Sequence, residues 1–419
     1  MNRFRPVFLV IILIFTIACA TPTLGPRSSP TSPPPPTLQP SFTPPPTIPP
    51  LPTPTPGPTD IPLPADPYTP VAILVDQPES TGRLSLLDMK GNPFAQLELP
   101  GLQRASIQAI HPAARFNPKN ISNLPLIYLT SGTPPALTYL TNQPKILLNV
   151  PGAYGLVGAP RSPVVAYSQS STIGKSITSS VFAGGPDTLT DNIPYATLID
   201  PEGKWQLIPL SVAASGERAS RIWYTQKAVP TQTVTVFDTH RYLYEIDIRG
   251  NRKQTLLEEN ANPWSLSPNL EWVAYSTPTS GERLYNTLRL LNLTTKASQE
   301  IAAQPESNLG AGDAVISPNN RLVAWKEGSL KPPASTPQIR IRMSTFDGAS
   351  IIDFTDQAIA QALGWTNVNR LTLPGWLDPG TLLVEANSTN QTALLTISFA
   401  ERSVNILRPG ATFIAFIYP

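Results

Sequence analysis

Three features of the sequence predict an all-β fold, a β-propeller of seven blades. A proline signature recurs along residues 71–419, strand patterns come in pairs joined by Asp- and Gly-containing turns, and the two ends of this region each carry part of one module. Residues 1–18 and 19–70 form two further segments of quite different composition.

Beyond Pro70 the sequence has short apolar runs bounded by Gly, Pro, Asn and Asp and no long amphipathic helical pattern, which points to strands. The signature is an apolar residue, one spacer, Pro, a short polar turn and then a strand. It occurs as AIHP at Pro112, VGAP at Pro160, SLSP at Pro268, VISP at Pro318 and WLDP at Pro379, with Gly158 the one poor fit at the apolar position. The Pro-to-Pro steps are 48, 108, 50 and 61 residues, so the second holds two modules, with a degenerate copy expected near SRIWYTQKA. A fixed period of this size marks a repeat architecture.

Between signatures lie further strand pairs with hairpin turn chemistry: LSLLDMKGNPFAQLEL, YATLIDPEGKWQLIPL, YLYEIDIRGNRKQTLL and IRIRMSTFDGASIIDF. Four strands in about 50 residues, repeated, make a propeller blade. With strands labelled a to d and the signature on a, modules begin at b71, a105, a153, a219, a261, a311 and a370. The first module lacks strand a, and TFIAFIYP at the C-terminus is a strand a that stops at the signature Pro. The C-terminal strand is therefore expected to complete the N-terminal blade and close the ring, hiding its edges. Six blades remain the alternative if the modules around Gly184 and Gln361 are not separate.

These copies resemble the TolB-like and WD-repeat-like propellers of exported bacterial proteins, in which a Ser-Pro-Asp-Gly turn precedes a strand. Here the Asp-Gly is replaced by Asn269-Leu270 and Asn319-Asn320, and no TolB amino-terminal domain precedes the repeat. The resemblance implies a fold and leaves activity open.

The first residues carry Arg3 and Arg5, an apolar stretch from Val7 to Ile17, and Ala18-Cys19. That stretch suits the apolar region of a secretory signal better than a membrane span. With Cys19 the single cysteine, it resembles a bacterial lipoprotein signal, with Thr16 in place of the commoner Leu. The resemblance implies diacylation of Cys19 and a membrane partner through its acyl chains. Ala20 is not the Asp that retains lipoproteins at an inner membrane, so the expected location is the cell envelope: the outer face of the cell membrane, or an outer membrane in a two-membrane host. Residues 19–70 are rich in Pro and Thr, an extended stalk rising roughly 3.1 Å per residue.

Composition excludes several functions. The net charge of +2 with no basic stripe argues against nucleic-acid binding. One cysteine rules out an intrachain disulfide, and with two histidines, His111 and His240, there is little material for a zinc site. No nucleophile elbow, His-Glu-x-x-His or phosphate-binding Gly-rich loop occurs, and no cofactor is expected. His111 and His240 are read as structural. Glu271, Asp313, Asp378 and Glu385 are the carboxylates that a glycosidase reading would need to bring face to face.

Of seven tryptophans, most lie on apolar strands, where packing between blades is expected. Trp264, Trp365 and Trp376 precede or enter strand a and are the candidate ligand-facing residues. The expected function is a monomeric, lipid-anchored, non-enzymatic binding or scaffolding module for a protein or glycan ligand. Its face is made by the d–a and b–c loops, including the insertions SQSSTIGKSITSSVFAGGPDTLTDNIP and EGSLKPPASTPQ. A carbohydrate-binding or carbohydrate-active propeller, or an accessory subunit of an envelope complex, is the alternative.

Overall fold

The computed structural model describes residues 66–77, 83–99, 107–131, 135–229, 237–250, 252–278, 286–302, 309–329 and 339–419. All of them belong to one unit, Pro56–Pro419. The signal segment, Cys19 and the stalk up to residue 65 lie outside the described residues.

Seven four-stranded antiparallel sheets make seven blades. Blade 1 contains β1 (Ala72–Asp76), β2 (Arg83–Leu87) and β3 (Pro93–Glu98). Blade 2 contains β4 (Ile107–Pro112), β5 (Leu126–Thr130), β6 (Ala136–Leu140) and β7 (Pro144–Asn149). Blade 3 contains β8 (Ala153–Gly158), β9 (Val165–Ile173), β10 (Ser176–Gly184) and β11 (Ala196–Asp200). Blade 4 contains β12 (Trp205–Ser215), β13 (Arg218–Ala228), β14 (His240–Asp247) and β15 (Arg252–Leu257). Blade 5 contains β16 (Asn262–Leu266), β17 (Trp272–Thr277), β18 (Thr287–Asn292) and β19 (Ser298–Ala302). Blade 6 contains β20 (Leu309–Ile316), β21 (Leu322–Ser329), β22 (Ile339–Thr345) and β23 (Ile351–Thr355). Blade 7 contains β24 (Arg370–Trp376), β25 (Thr381–Asn387), β26 (Thr392–Ser398) and β27 (Ser403–Pro409).

The last strand, β28 (Thr412–Ile417), pairs with β1 as the innermost strand of blade 1, in the register Ala72↔Ile417 to Asp76↔Thr412. The Val71 N–H donates to the Ile417 carbonyl at 2.8 Å and extends the ladder. Ala415 and Ile417 pack with Ile110, Leu126 and Tyr128 of blade 2, while Ile73 and Val75 pack with Leu383 and Leu394 of blade 7. The ring closes as expected, with seven blades and no free inner edge at blade 1.

Second strands read as nearly unbroken apolar runs because a neighbouring blade covers each face. In β1, Ala72, Ile73, Leu74 and Val75 are all buried. Outermost strands alternate, as in β11, where Thr197 and Ile199 are exposed between less exposed neighbours. In blades 5 and 6 the signature Pro follows strand a in a tight turn, whereas in blade 2 Pro112 ends β4 and a 3-10 helix, Pro118–Asn123, lies in the connection to β5. In blade 5 the Ser267 hydroxyl accepts from the Trp272 N–H at 3.0 Å and donates to Asn269 Oδ1 at 2.7 Å. Ser317 makes the same contacts with Leu322 and Asn319 in blade 6. Asn269 and Asn319 follow the prolines, and the next position is left-handed in both turns, filled by Leu270 at φ 62° and Asn320 at φ 55°.

Two expectations are corrected. Strand a of blade 4 is β12, starting at Trp205; the stretch SRIWYTQKA, read as a219, is the second strand, β13. The Asp200–Gly203 turn thus joins the outer strand of blade 3 to the inner strand of blade 4, rather than closing a hairpin. Asp200 Oδ2 accepts from the N–H groups of Lys204 and Trp205 at 2.6 and 2.7 Å, so the turn chemistry is real, but β11 and β12 belong to different sheets. The first long insertion is not a single b–c loop. A turn at Gly174 joins two nine-residue strands, β9 and β10, and residues 185–195 form a c–d connection on the opposite face.

The 61-residue step reflects a helix, α1 (Asp356–Leu363), between blades 6 and 7. Thr355 caps it by accepting from the Ala358 N–H at 3.1 Å, and Gly364 ends it at φ 69°. Ile359 and Ala360 are its buried face. Among the described residues no helix is long and apolar enough to cross a membrane.

Candidate functional site

Antiparallel order puts the a–b and c–d connections on one face of the ring and the b–c and d–a connections on the other. The chain enters blade 1 beside the end of β28, hence on the a–b face. There the central channel narrows to a cavity of about 190 Å³, lined by Tyr68, Phe416, Tyr418, Trp376, Ser211 and Ser265 among others. Its lining residues carry no carboxylate, imidazole or amine. The Arg161 guanidinium lies 5.7 Å from the Tyr68 ring centre and holds the incoming segment at this mouth.

Innermost strands are bulged, with register shifts between Gly312 and Val315, Thr372 and Gly375, and Pro263 and Ser265. In blade 6 the bulge places Asp313 at φ 51° against the ammonium of Lys326, which is buried and donates to the Leu371 carbonyl at 2.9 Å. Glu385 likewise spends its carboxylate on the Phe413 N–H at 2.8 Å, pinning β28. Asp378 accepts from the Gly380 N–H in its turn, and Glu271 accepts from the Asn320 amide on the a–b face. Each of the four carboxylates thus has a different local partner on its own blade or seam.

The candidate tryptophans occupy three separate places. Trp264 is 9 % exposed; its indole N–H donates to Ser276 Oγ at 2.9 Å, and its ring meets Phe237 and His240 edge-on. Trp376 is 3 % exposed, donates to the Val315 carbonyl at 3.2 Å, and borders the channel cavity. Trp365 is half-buried just after α1, against the core that the helix covers. The structure does not bring the three together.

Both histidines are held by backbone. His240 Nδ1 lies 3.0 Å from the Pro263 carbonyl and so carries the proton, while burial lowers its pKa to about 4. His111 Nε2 lies 2.8 Å from the Ser162 carbonyl, and desolvation lowers this imidazole to about 4 as well. Both rings are neutral at pH 7.

The sequence reading missed a cluster on the d–a rim of blade 4. Arg241 stacks its guanidinium 3.9 Å from the Trp205 ring centre, donates to Glu259 Oε1 at 2.7 Å and donates through Nε to Gln226 Oε1 at 2.8 Å. Tyr242, at φ 58°, donates to Glu259 Oε2 at 3.3 Å and stacks on Tyr244 at 5.6 Å, which stacks in turn on Tyr224 at 5.1 Å. Trp205, Arg241, Tyr242 and Tyr244 are half-buried, leaving rigid aromatic and cationic surface in solvent. The available signal was Tyr242 and Tyr244 two apart on one strand, with Trp205 at the start of a strand two earlier in the same blade.

No protein-family model and no curated protein matches the sequence. Among solved structures, the chain is similar to an oligogalacturonate lyase in complex with manganese, with 13% identity, 80% of this chain and 83% of that chain covered, and a TM-score of 0.45. It is similar to an oligogalacturonate lyase from Vibrio parahaemolyticus, with 11% identity, 81% and 86% covered, and a TM-score of 0.46. TolB from Acinetobacter baumannii is also similar, with 11% identity, 81% and 81% covered, and a TM-score of 0.38. At these identities the activities named for those proteins do not transfer to this chain. Its own strand pairing is what establishes the seven-bladed ring.

Proposed function

We propose that the chain is an exported, lipid-anchored module that binds a partner through the d–a rim of its propeller without chemically transforming it. The observation that carries this reading is the blade 4 cluster of Trp205, Arg241, Tyr242 and Glu259, locked in place by its own contacts before any ligand arrives. Preorganised aromatic and guanidinium groups bind with little loss of side-chain freedom. The chain enters blade 1 on the opposite face. Asp313 and Glu385 are engaged by Lys326 and by backbone, which supports binding over hydrolysis.

A photo-crosslinking residue at Tyr242 is expected to capture a partner in intact cells, while one at Arg402 on the other face captures none. Adducts from Arg402 alone, or from neither, overturn the reading. Cys19→Ala is expected to release the protein from membranes; retention would refute the lipid anchor. A glycan ligand at the same rim is the second reading, favoured by the half-exposed faces of Trp205 and Tyr242. Retardation in a glycan-containing native gel, abolished by Trp205→Ala, would select it.

A further inference from the structure

The axial cavity on the a–b face has one wall that differs from the others in how it is held. That wall is Tyr68, carried by a turn ahead of β1. Asp66 Oδ1 accepts from the Tyr68 N–H at 3.0 Å, its Oδ2 accepts from the Thr69 hydroxyl at 3.2 Å, and the Thr69 N–H donates to the Asp66 carbonyl at 3.2 Å. Thr69 and Pro70 are buried, and at Val71 the backbone joins the ladder through Ile417. The turn is a fixed post at the mouth of the channel.

The walls behind Tyr68 are tied down. Trp376 is 3 % exposed and donates to the Val315 carbonyl at 3.2 Å. Phe416 fills the space over Gly375, where a Cβ would stand 2.8 Å from its ring. Ser265 donates to the Ala314 carbonyl at 2.6 Å, and Ser267 is spent on its own turn. Tyr68 has no such tie. It is half-buried, and its hydroxyl makes no hydrogen bond among the described residues, whereas a tyrosine hydroxyl withdrawn from water usually finds a partner. Its ring meets the Arg161 guanidinium at 5.7 Å, near the outer limit for a cation–π contact. Arg161 follows the signature Pro160 in a left-handed conformation, φ 63°, and has no carboxylate partner among the described residues.

The geometry points to Tyr68 as a gate of the axial cavity, latched by Arg161 and swinging on its own side-chain torsions while the turn beneath it stays in place. Opening breaks no ladder bond and no hydrogen bond of the ring; it only parts an aromatic face from a guanidinium. The cavity of about 190 Å³ has no charged side chain in its lining, so the gate admits small uncharged molecules in preference to ions. It lies on the face opposite the blade 4 rim and does not depend on a partner there.

The test uses the full chain labelled with 5-fluorotryptophan. The ¹⁹F signal of Trp376, assigned by its loss in Trp376→Phe, reports access to the cavity through its broadening by a small neutral nitroxide, with the Trp264 signal as internal control. Arg161→Gln keeps Tyr68 but releases the latch, and is expected to raise the broadening of Trp376 at least twofold. Tyr68→Ala should raise it at least fivefold, and Tyr68→Phe should match the parent, all at an unchanged Tm and with Trp264 unaffected. A Trp376 as protected in Arg161→Gln as in the parent would make Tyr68 a fixed wall and overturn the proposal. So would protection that survives Tyr68→Ala, a lowered Tm in Arg161→Gln, or equal broadening of the parent by a carboxylate-bearing nitroxide.

Discussion

The imidazole of His111 occupies the volume that a side chain at Gly158 would fill. A Cβ on Gly158 would stand 2.0 to 2.2 Å from three ring atoms of His111. In blades 5 and 6 the equivalent of Gly158 is Leu266 or Ile316, and the equivalent of His111 is Ser267 or Ser317, which turns inward to cap its own a–b turn. In blade 2 that residue reaches instead across the seam to blade 3, and blade 3 yields a glycine to admit it. The apparent defect in the repeat is a fitted pair.

Gly158→Ala is therefore expected to destabilise the protein by about 1–3 kcal/mol, through overpacking of a seam that has no spare volume. Combining it with His111→Ala should recover part of that loss. Chemical denaturation of the two single variants and the double variant measures the coupling; strictly additive effects would dismiss the steric account.

Acid should weaken the fold well before carboxylates titrate. His111 and His240 have folded pKa values of about 4 against about 6.5 in the unfolded chain, so the unfolded state binds more protons between those values. Stability then falls as pH drops from 6.5 towards 4, by up to about 1.4 kcal/mol per pH unit for each histidine. Urea unfolding across this range should show the slope. His111→Gln and His240→Asn, which keep a donor for the Ser162 and Pro263 carbonyls, should each flatten it. An unchanged slope in both variants would remove the histidines as its cause.

Removing residues 412–419 takes away β28, with buried Ala415 and Ile417, and exposes the inner edge of β1. Each fully buried aliphatic side chain contributes roughly 1.5–3 kcal/mol, and the freed strand edge adds unpaired backbone groups. The truncated chain is expected to lose cooperative melting in calorimetry and to be cut rapidly by protease near blade 1. A truncated chain with the parent Tm would contradict closure through this strand.

Glu327 holds blade 6 from inside. It is 2 % exposed, accepts from Arg340 Nε at 2.7 Å and Arg342 Nη1 at 3.0 Å, and takes the Trp325 indole N–H at 3.0 Å. Glu327→Gln leaves two guanidiniums facing a neutral group and should cost about 3–5 kcal/mol. Replacing Glu327, Arg340 and Arg342 together with apolar residues of similar volume should cost much less. Equal losses in the two variants would mean that the buried charge is not what the single substitution exposes.

What is legible in the primary structure is local. Pro268 and Pro318 mark a–b turns because the serine before each proline and the left-handed residue two after it, Leu270 or Asn320, are decided within six consecutive positions. The complementary ends near Val71 and Pro419 follow from the same count. Pairing was legible only where a turn left one partner. Asp200 caps its turn as a hairpin aspartate would, yet the strands on either side belong to blades 3 and 4. That choice depends on which faces the neighbouring blades cover, and no six-residue window contains it. The same holds for the sites. Trp264 and Trp376 look alike in sequence as aromatics on strand a, and packing buries both. Arg241 is unremarkable in sequence and becomes the centre of a surface because the fold sets Trp205 and Glu259 beside it. Turn chemistry determines where this chain bends. Which residues meet across the bends is settled by burial of whole blade faces, a non-local quantity that only the assembled ring possesses.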